Sequence, residues 1–396
     1  MTKLEQLIEE LCPNGVEYRT LNTICNVYDG THQTPQYTDS GIKFASVENI
    51  ADPYATEKYI SVSDYEKYKI KPQRNDLLMT RIGSIGVCTV IESDEPLAYY
   101  VSLALLRPDN SILNSRYLKY AIESLHCRKE LRKRTLVNAV PIKINMGDIG
   151  KITLPVPPLP VQSEIVRILD NFTELTTELT TELTTELTAR KKQYEFYRDK
   201  LLTFGDVREG ATSDVIRRTL GEVCKISAGG DAPKDSMSKQ KTEKYSVPII
   251  SNGIGENALY GYTDAPKVEE PAVTVAARGT IGYAEYRDYP FYPIIRLLTT
   301  IPKDSTVVST KYLYYCLQGK QYSVPMGGIP QLTAPELKKV EIPIPSLDVQ
   351  NRIVQVLDNF DAICTDLSSG LPAEIEARQK QYEYYRDKLL SFEEKT

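Results

Sequence analysis

The feature that most constrains the fold of this chain is an internal sequence repeat. Residues 155–204 recur at 343–392 with a constant offset of 188 and no gap, and 28 of the 50 paired positions are identical. A repeat of this length indicates two copies of one structural unit. The regions before the copies are related more loosely, because Thr20-Leu21 and Gly83-Ser-Ile-Gly86 recur at offsets of 199 and 196. The order is therefore variable module, repeated segment, variable module, repeated segment.

The repeated segments have the pattern of long helices. Apolar residues recur three and four positions apart from Val161 onward, and four tandem Thr-Glu-Leu-Thr units fill residues 173–188. Because threonine is a weak helix former, one such helix would be marginal in water and its leucines need a partner. The equivalent positions of the second copy are also apolar, which predicts an antiparallel pair of equivalent helices, with a break near Gly370 and Pro372. The residues assigned to this packing are Leu175, Leu179, Leu183, Leu187, Ile363, Leu367, Leu371 and Ile375.

The variable modules have the pattern of compact mixed domains. Short apolar runs bounded by turn residues predict strands at Leu77–Thr80, Val87–Ile91, Val247–Ile250 and Ala272–Ala277, and longer periodic runs predict helices at Ser115–Arg134 and Ser309–Gln318. The predicted fold class is α+β, with two globular α/β domains separated by two long antiparallel helices that form a coiled coil, related by a pseudo-two-fold internal repeat. The expected domains are 1–154, 155–205, 206–342 and 343–396.

Composition narrows the function classes. The 396 residues are 41% hydrophobic and 26% charged, with a net charge of −5, which is typical of a soluble globular protein. No apolar run approaches the roughly 20 residues of a membrane helix, and the first residues have an amphipathic helix pattern in place of a signal peptide. The seven cysteines include no C-x-x-C pair, so neither a disulfide framework nor a zinc site is indicated. We therefore expect a cytoplasmic protein that does not contact membranes.

Catalytic motifs are weak throughout. Asp52-Pro53-Tyr54 lacks the second proline of an amino-methyltransferase motif, and Gly253–Ala258 matches G-x-G-x-x-A without a helix pattern after it. His32 and His126 have no convincing nucleophile or metal partners in the sequence. The sequence therefore predicts no catalytic residue, no metal site and no cofactor bound by this chain.

A nucleic-acid interpretation has more support. The glycine-rich loops 28–34 and 227–233 occupy matching places in the two modules, and Arg81-Ile-Gly-Ser-Ile-Gly86 parallels Arg278-Gly-Thr-Ile-Gly282. Glycine lets backbone N–H groups approach phosphate, and Arg, Ser, Thr, Asn and Gln donate to phosphates or base edges. The matching turns are equally consistent with a shared structural role, and the basic run at 116–134 with a solvated helix face. The candidate DNA contacts are Thr31, His32, Gln33, Thr34, Arg81, Ser84, Asn138, Lys143, Lys234, Lys239, Asn252, Arg278, Thr280 and Gln331.

The copies Gln193–Leu202 and Gln381–Leu390, together with the tandem units at 173–188, resemble the specificity (S) subunits of type I restriction–modification systems, type IC in particular. The resemblance covers essentially the whole chain. It implies that each variable module is a target recognition domain for one half of a bipartite, non-palindromic site in double-stranded DNA. It also implies that the repeated helices set the half-site spacing and bind two modification (M) subunits, which methylate adenine at N6.

The resemblance further implies restriction (R) subunits as partners, with S-adenosylmethionine, ATP and Mg²⁺ bound in partner subunits and no catalysis by this chain. The familiar spacer unit of the type IC group is Thr-Ala-Glu-Leu, whereas this chain has Thr-Glu-Leu-Thr. Two other classes stay open from the residues alone. One is a self-contained methyltransferase or nuclease, and the other is a coiled-coil adaptor whose modules bind protein without reading DNA.

Overall fold

The computed structural model describes residues 2–33, 35–204, 215–322, 330–366 and 369–395. The chain divides into two compact units. The N-terminal unit comprises Met1–Glu182 and Ile375–Thr396, and the C-terminal unit comprises Leu183–Glu374. The division falls inside helices on both sides, so each unit combines one variable module with parts of both repeated segments.

The N-terminal unit holds two four-stranded sheets and a two-stranded one. Their strand orders are β2-β9-β6-β7, β3-β5-β4-β8 and β1-β10, and only β4 and β8 pair in parallel. The strands are β1 Tyr18–Thr20, β2 Cys25–Asp29, β3 Tyr37–Thr38, β4 Ile42–Ala45, β5 Tyr59–Ile60, β6 Leu77–Thr80, β7 Cys88–Val90, β8 Leu97–Tyr99, β9 Leu103–Pro108 and β10 Thr153–Pro155. The helices are α1 Lys3–Leu11, α2 Val62–Glu66, α3 Ser115–Glu123, α4 Leu125–Arg134, α5 Met146–Ile149, the first part of α6 Leu159–Thr203 and the later part of α11 Leu371–Leu389.

The C-terminal unit repeats this topology strand for strand, with the orders β12-β19-β16-β17, β13-β15-β14-β18 and β11-β20. Its strands are β11 Ile216–Thr219, β12 Cys224–Ala228, β13 Met237–Ser238, β14 Val247–Ile250, β15 Leu259–Thr263, β16 Ala272–Val275, β17 Ala284–Arg287, β18 Tyr292–Pro293, β19 Leu298–Pro302 and β20 Glu341–Ile344. Its helices are the later part of α6, then α7 Leu220–Val223, α8 Thr310–Leu317, α9 Ala334–Lys338, α10 Leu347–Thr365 and the start of α11. The predicted α+β repeat is confirmed.

A buried glutamine joins each variable module to its helix in the same way. In the N-terminal unit, the fully buried Gln162 accepts from the backbone N–H of Asn114 at 2.8 Å and donates to the carbonyls of Ile112 and Pro157. In the C-terminal unit, its equivalent Gln350 makes the same three bonds, accepting from the N–H of Ser309. Because buried backbone groups need partners, each amide fixes the angle at which a helix enters its module.

We expect Gln162→Leu to lower the free energy of unfolding of the N-terminal unit by about 3 kcal/mol, because one N–H and two carbonyls lose their partner in a buried place. Hydrogen–deuterium exchange at peptide resolution should show faster exchange in this unit alone. Gln6→Leu, at an exposed position of α1, is the matched control and should change stability by less than about 0.5 kcal/mol. Equal exchange in both variants would show that the bonds contribute little.

The buried seam of α6 differs from the predicted leucine stripe. Its buried and half-buried positions recur four and three apart, as in a heptad, at 169, 173, 176, 180, 183, 187, 190 and 194. A strict spacing of four advances about 40° per unit around a helix, so the leucines drift across this seam. Leu183 and Leu187 coincide with it, and Leu179, Leu371 and Ile375 are half-buried. The prediction is wrong for Leu175 and its equivalent Ile363, which are 62% and 44% exposed, and Leu367 lies outside the described residues.

Threonine and aromatic side chains also form contacts between the helix segments. In the N-terminal unit, Thr173 lies within 3.1 Å of the Tyr382 hydroxyl, and the ring of Phe172 stacks on Tyr385 at 5.7 Å. In the C-terminal unit, Tyr197 stacks on Phe360 at 5.9 Å. The two stacks are copies of each other, because Phe172 is equivalent to Phe360 and Tyr197 to Tyr385 in the repeat. Within each unit the helix segments therefore pair antiparallel.

The second repeated segment is broken where Gly370 and Pro372 predicted a break. Helix α10 ends at Thr365 and α11 begins at Leu371. A side chain at Gly370 would meet the carbonyl oxygens of Ala362 and Asp366 at 2.7 Å, so the chain turns too closely there for any other residue. Pro372, at the second position of α11, has no backbone N–H. This does no harm there, because the N–H groups of the first helical turn have no partner within the helix. The predicted helix Ser115–Arg134 is also divided, because Ser124 caps a second helix at Leu125.

Candidate nucleic-acid interface

In the N-terminal unit, the predicted loops meet around a buried arginine. Arg81 donates to Asp29 Oδ1 at 2.7 Å, to the Val101 carbonyl at 3.1 Å and to the Ile144 carbonyl at 3.3 Å. Its side chain is 9% exposed. Nε and Nη1 of Arg81 thus hold three loops together, and a direct contact of Arg81 with DNA stays a prediction. The role of Arg81 is to position the loops around it.

The first glycine-rich loop is fastened to the strand beside it. A side chain at Gly30 would lie 2.4 Å from the Tyr100 carbonyl, so only glycine fits between these segments. The Tyr99 hydroxyl, whose pKa is raised by burial, donates to the Asp29 carbonyl at 3.0 Å. Asp29 also bonds His32 at 2.9 Å through its second carboxylate oxygen. Asp29 thus links the buried Arg81 to an exposed histidine.

The exposed candidates of this unit surround that anchor. His32 and Gln33 are exposed and Thr31 is half-buried, while Thr34 lies outside the described residues. Ser84 follows Gly83, whose backbone has φ +82° and open space where a side chain would be. Asn138 and Lys143 are exposed on a loop joined to this turn by the Gly83 N–H and the Ile142 carbonyl at 2.9 Å. The structure therefore brings these predicted residues to one end of the unit.

We expect Arg81→Ala to lower the free energy of unfolding of the N-terminal unit by about 2 kcal/mol, because it removes three hydrogen bonds and leaves a partly buried carboxylate without its cation. Ser84→Ala, on the same turn but exposed, should change stability by less than about 0.5 kcal/mol. Chemical denaturation of the two variants measures both effects. If Arg81→Ala kept full stability but lost DNA binding, Arg81 would contact DNA directly and would not serve to position the loops.

In the C-terminal unit, four predicted residues form a cluster of two hydrogen-bonded pairs, which are linked because Ala277, next to Arg278, donates its N–H to Asn252 Oδ1. Gln331 Oε1 accepts from Arg278 Nη2 at 2.7 Å and Nε at 3.0 Å. Asn252 donates to the Ile295 carbonyl at 2.8 Å, and its own carbonyl accepts from the Thr280 hydroxyl at 3.0 Å. Because Thr280 is exposed and the other three are half-buried, the cluster lies at the surface.

Two predicted lysines lie near this cluster. Lys234 and Lys239 are both exposed. Lys234 and Ile295 line an open groove together with Tyr260. Lys239 lies 3.8 Å from the centre of the Tyr260 ring and donates to its carbonyl. The groove is also lined by Asp231 and Asp235, so Lys234, Tyr260 and the neighbouring Lys239 are the groups there that suit contact with nucleic acid.

The turns of the two units share their backbone but not their arginines. Gly83 and Gly86 have left-handed φ values, as do Gly279 and Gly282. The Ile144 N–H donates to the Arg81 carbonyl, and the Leu332 N–H donates to the Ala277 carbonyl in the same place. Arg81 is therefore equivalent to Ala277, and Arg278 is equivalent to Ile82. The prediction that Arg81 and Arg278 are equivalent was wrong. Arg81 lies two residues before Gly83, whereas Arg278 lies directly before Gly279, so the two arginines align only if one residue is skipped.

Four of the seven basic residues in the run at 116–134 form ion pairs. Arg116 pairs with Asp170 at 2.7 Å and Arg134 with Glu130 at 2.7 Å. Arg128 lies 3.9 Å from Glu383. The run therefore ties α3 and α4 to the helix segments of the N-terminal unit, which agrees with the interpretation as a structural, solvated face.

Two residues with a clear place in the site were absent from the candidates. Asp29 is the partner of both Arg81 and His32, and Arg296 lies 3.4 Å from Gln331 Oε1. Asp29 lies within the glycine-rich loop and could have been found as the carboxylate that a buried arginine requires. Nothing in the sequence singles out Arg296, because its place depends on the folding of three separate loops.

Neither a metal-binding cluster nor a membrane-spanning helix is found among the residues that the structure describes. Among them, no group of three or more His, Cys, Asp or Glu side chains is arranged to hold a metal ion. No helix among these residues is both long and apolar enough to span a bilayer. Gly253–Ala258 leads through a short 3₁₀ turn into strand β15, which excludes the helix that a dinucleotide-binding loop would open.

Similarity to known proteins agrees with this geometry. A family model for the type I restriction modification DNA specificity domain matches the chain twice, at residues 13–189 and 213–377. A type I specificity subunit of Mycoplasma pneumoniae is 38% identical over 298 residues, which is 73% of this chain and 85% of that protein. One of Haemophilus influenzae is 36% identical over 299 residues, which covers 71% and 73%.

A solved structure supports the fold. A chain from a type I R-M system structure superposes with a TM-score of 0.71 over 96% of this chain and 98% of its own length, at 15% identity. The two family matches together span well over half of the sequence. The chain therefore belongs to the type I restriction modification DNA specificity family, as a non-catalytic DNA-recognition subunit of a type I restriction–modification complex.

Proposed function

We propose that each unit of this subunit reads one half of a bipartite, non-palindromic DNA site, and that the repeated helices set the number of base pairs between the halves. The observation that carries the proposal is that the two units share every strand pairing while their exposed loops differ. Lys143 and Gln331, for example, occupy equivalent positions, because their numbers differ by the offset of the repeat. One scaffold with two sets of loop residues suits the reading of two different short sequences.

We propose that the helices bind two copies of one partner, the modification subunit. The N-terminal unit exposes an aromatic cluster formed by Phe172, Tyr384 and Tyr385, and the C-terminal unit exposes its copy, formed by Phe360, Phe196 and Tyr197. Phe196 and Tyr197 are 5.4 Å apart and Tyr384 and Tyr385 are 5.3 Å apart, with almost equal ring angles. Exposed aromatic groups of this kind are typical centres of protein interfaces. Two equal surfaces suit two identical partners.

The chemistry then lies in the partners. The modification subunits would hold S-adenosylmethionine and methylate the N6 of adenine, after the base has been turned out of the duplex. Restriction subunits would join the complex and use ATP and Mg²⁺. In this proposal the chain binds none of these cofactors and contributes only recognition and spacing.

A binding experiment tests the DNA-reading role. The complex of this chain with its host's modification subunits is measured by filter binding on mixed-sequence duplex at 50 and 200 mM salt. A DNA reader should lose roughly three to five powers of ten in affinity between these salt concentrations, because phosphate contacts release counterions. Binding that is absent, or indifferent to salt, would contradict the proposal and favour a protein-binding adaptor.

A further inference from the structure

Two arginines of the C-terminal unit converge on one neutral oxygen. Gln331 Oε1 accepts from Arg278 at 2.7 and 3.0 Å and from Arg296 at 3.4 Å. Within the described residues, no carboxylate oxygen lies within 4.0 Å of either guanidinium, and both arginines reach the surface. Two cations held side by side without an acid attract a ligand that presents paired acceptors.

The backbone around these arginines is held in an unusual conformation. Ile295 and Arg296 have φ values of +52° and +56°, a left-handed region that is unfavourable for residues other than glycine. Three hydrogen bonds fix this segment, from the Ile295 N–H to Gly230, from the Arg296 N–H to Gly229 and from Asn252 to the Ile295 carbonyl. Strain that persists only because neighbours enforce it is characteristic of binding sites. Here it directs Arg296 toward Gln331.

The space in front of Arg278 is open. The next residue, Gly279, has φ +71°, and no atom lies within 4 Å of where its side chain would be. Another molecule can therefore approach the backbone closely at this turn. The N-terminal unit has a similar open turn at Gly83, but there Ile82 replaces Arg278 and Lys143 replaces Gln331. The arginine pair is thus particular to one unit.

The chemistry of the pair matches one base. A guanidinium donates in a flat fork, and in the major groove guanine offers two acceptors, O6 and N7, side by side. Phosphate oxygens offer acceptors too, but exposed lysines such as Lys234 already suit that role. Arg278 is instead half-buried and fixed through two of its nitrogens, as a reader of one base edge needs to be. We infer that Arg278 and Arg296, aligned by Gln331, read guanine in the half-site bound by the C-terminal unit.

This inference rests on the proposed function and is tested in the same host. Arg278→Lys, Arg278→Ala and Arg296→Ala subunits are expressed with the host's modification subunits, and modified adenines are mapped by single-molecule sequencing. Arg218→Ala, an exposed arginine paired with Glu222 on the same unit, is the matched control. Thermal unfolding of each purified complex shows that the variants fold.

The expected result is a loss of discrimination, by roughly 10- to 100-fold, at one guanine of one half-site, with the other half-site and the gap unchanged. Arg278→Lys should behave like Arg278→Ala, since lysine keeps the charge but lacks the fork. A uniform fall in methylation with specificity retained by Arg278→Lys would show a phosphate contact and overturn the inference, as would unchanged methylation. If the unaltered subunit directs no bipartite methylation, the proposed function itself fails.

Discussion

Deleting residues 173–176 should shorten the gap in the recognised DNA site by one or two base pairs and leave both half-site sequences as they were. An α-helix rises about 1.5 Å per residue and DNA rises about 3.4 Å per base pair, so four residues correspond to roughly 6 Å. After the deletion, Thr177 occupies the position of Thr173, because the four units are identical. We therefore expect Thr177 to make the contact with Tyr382 that Thr173 makes in the full-length chain.

The control for this deletion keeps the length and changes the composition. Thr177→Ala combined with Glu178→Gln alters one unit at exposed positions without removing a residue. Since alanine is the better helix former, the helix should persist and the gap should stay unchanged. Mapping of methylated adenines measures both chains. A deletion that changes a half-site sequence, or leaves the gap as it was, would show that the helices do not act as a ruler.

Replacing Phe196 or Tyr384 with alanine should each remove one modification subunit from the complex, and the double variant should remove both. The two rings are 60% and 61% exposed, occupy equivalent positions and each pack against the tyrosine that joins its aromatic cluster, Tyr197 or Tyr385. Truncating an aromatic anchor of an interface commonly costs about 2 kcal/mol or more, which weakens binding by roughly 30-fold. Native mass spectrometry reads the subunit ratio directly.

Tyr37→Ala is the matched control, because this tyrosine is 46% exposed but lies on strand β3, away from the helices. It should leave the proposed ratio of two modification subunits to one specificity subunit unchanged. Loss of both partners in either single variant would mean that the two sites depend on each other. A ratio unchanged in the double variant would exclude the aromatic clusters as the docking surfaces.

Short apolar strands bounded by turn residues were the easiest elements to predict from the sequence. Leu77–Thr80 and Val247–Ile250 were predicted to the residue, because continuous apolar runs between turn residues leave few alternatives. Helix ends were harder. Ser124 ends α3 and caps α4 through a bond to the Cys127 N–H, a local choice that helical periodicity does not reveal. The doubled topology followed from the repeat itself.

The sequence indicated which loops form the candidate site, but not which of their side chains are buried or what they contact. The glycine-rich turns lie where the loops converge, which made Ser84, Arg278 and Thr280 accessible to prediction. The burial of Arg81 was not, because a guanidinium in a loop looks the same whether it faces solvent or an internal carboxylate such as Asp29. The sequence showed Gln162 and Gln350 only as an identical pair within the repeat. Their role could not be predicted, since it depends on backbone groups that lie far away in the sequence.

Genome-wide mapping of modified adenine, in the host with and without this gene, tests the reading of a bipartite site by two units held at a fixed spacing. We expect the gene to be needed for methylation at one non-palindromic motif, in which two different short sequences flank a gap of fixed length. Methylation that persists without the gene, or a gene-dependent motif that is a single uninterrupted sequence, would be incompatible with two readers and a helical ruler.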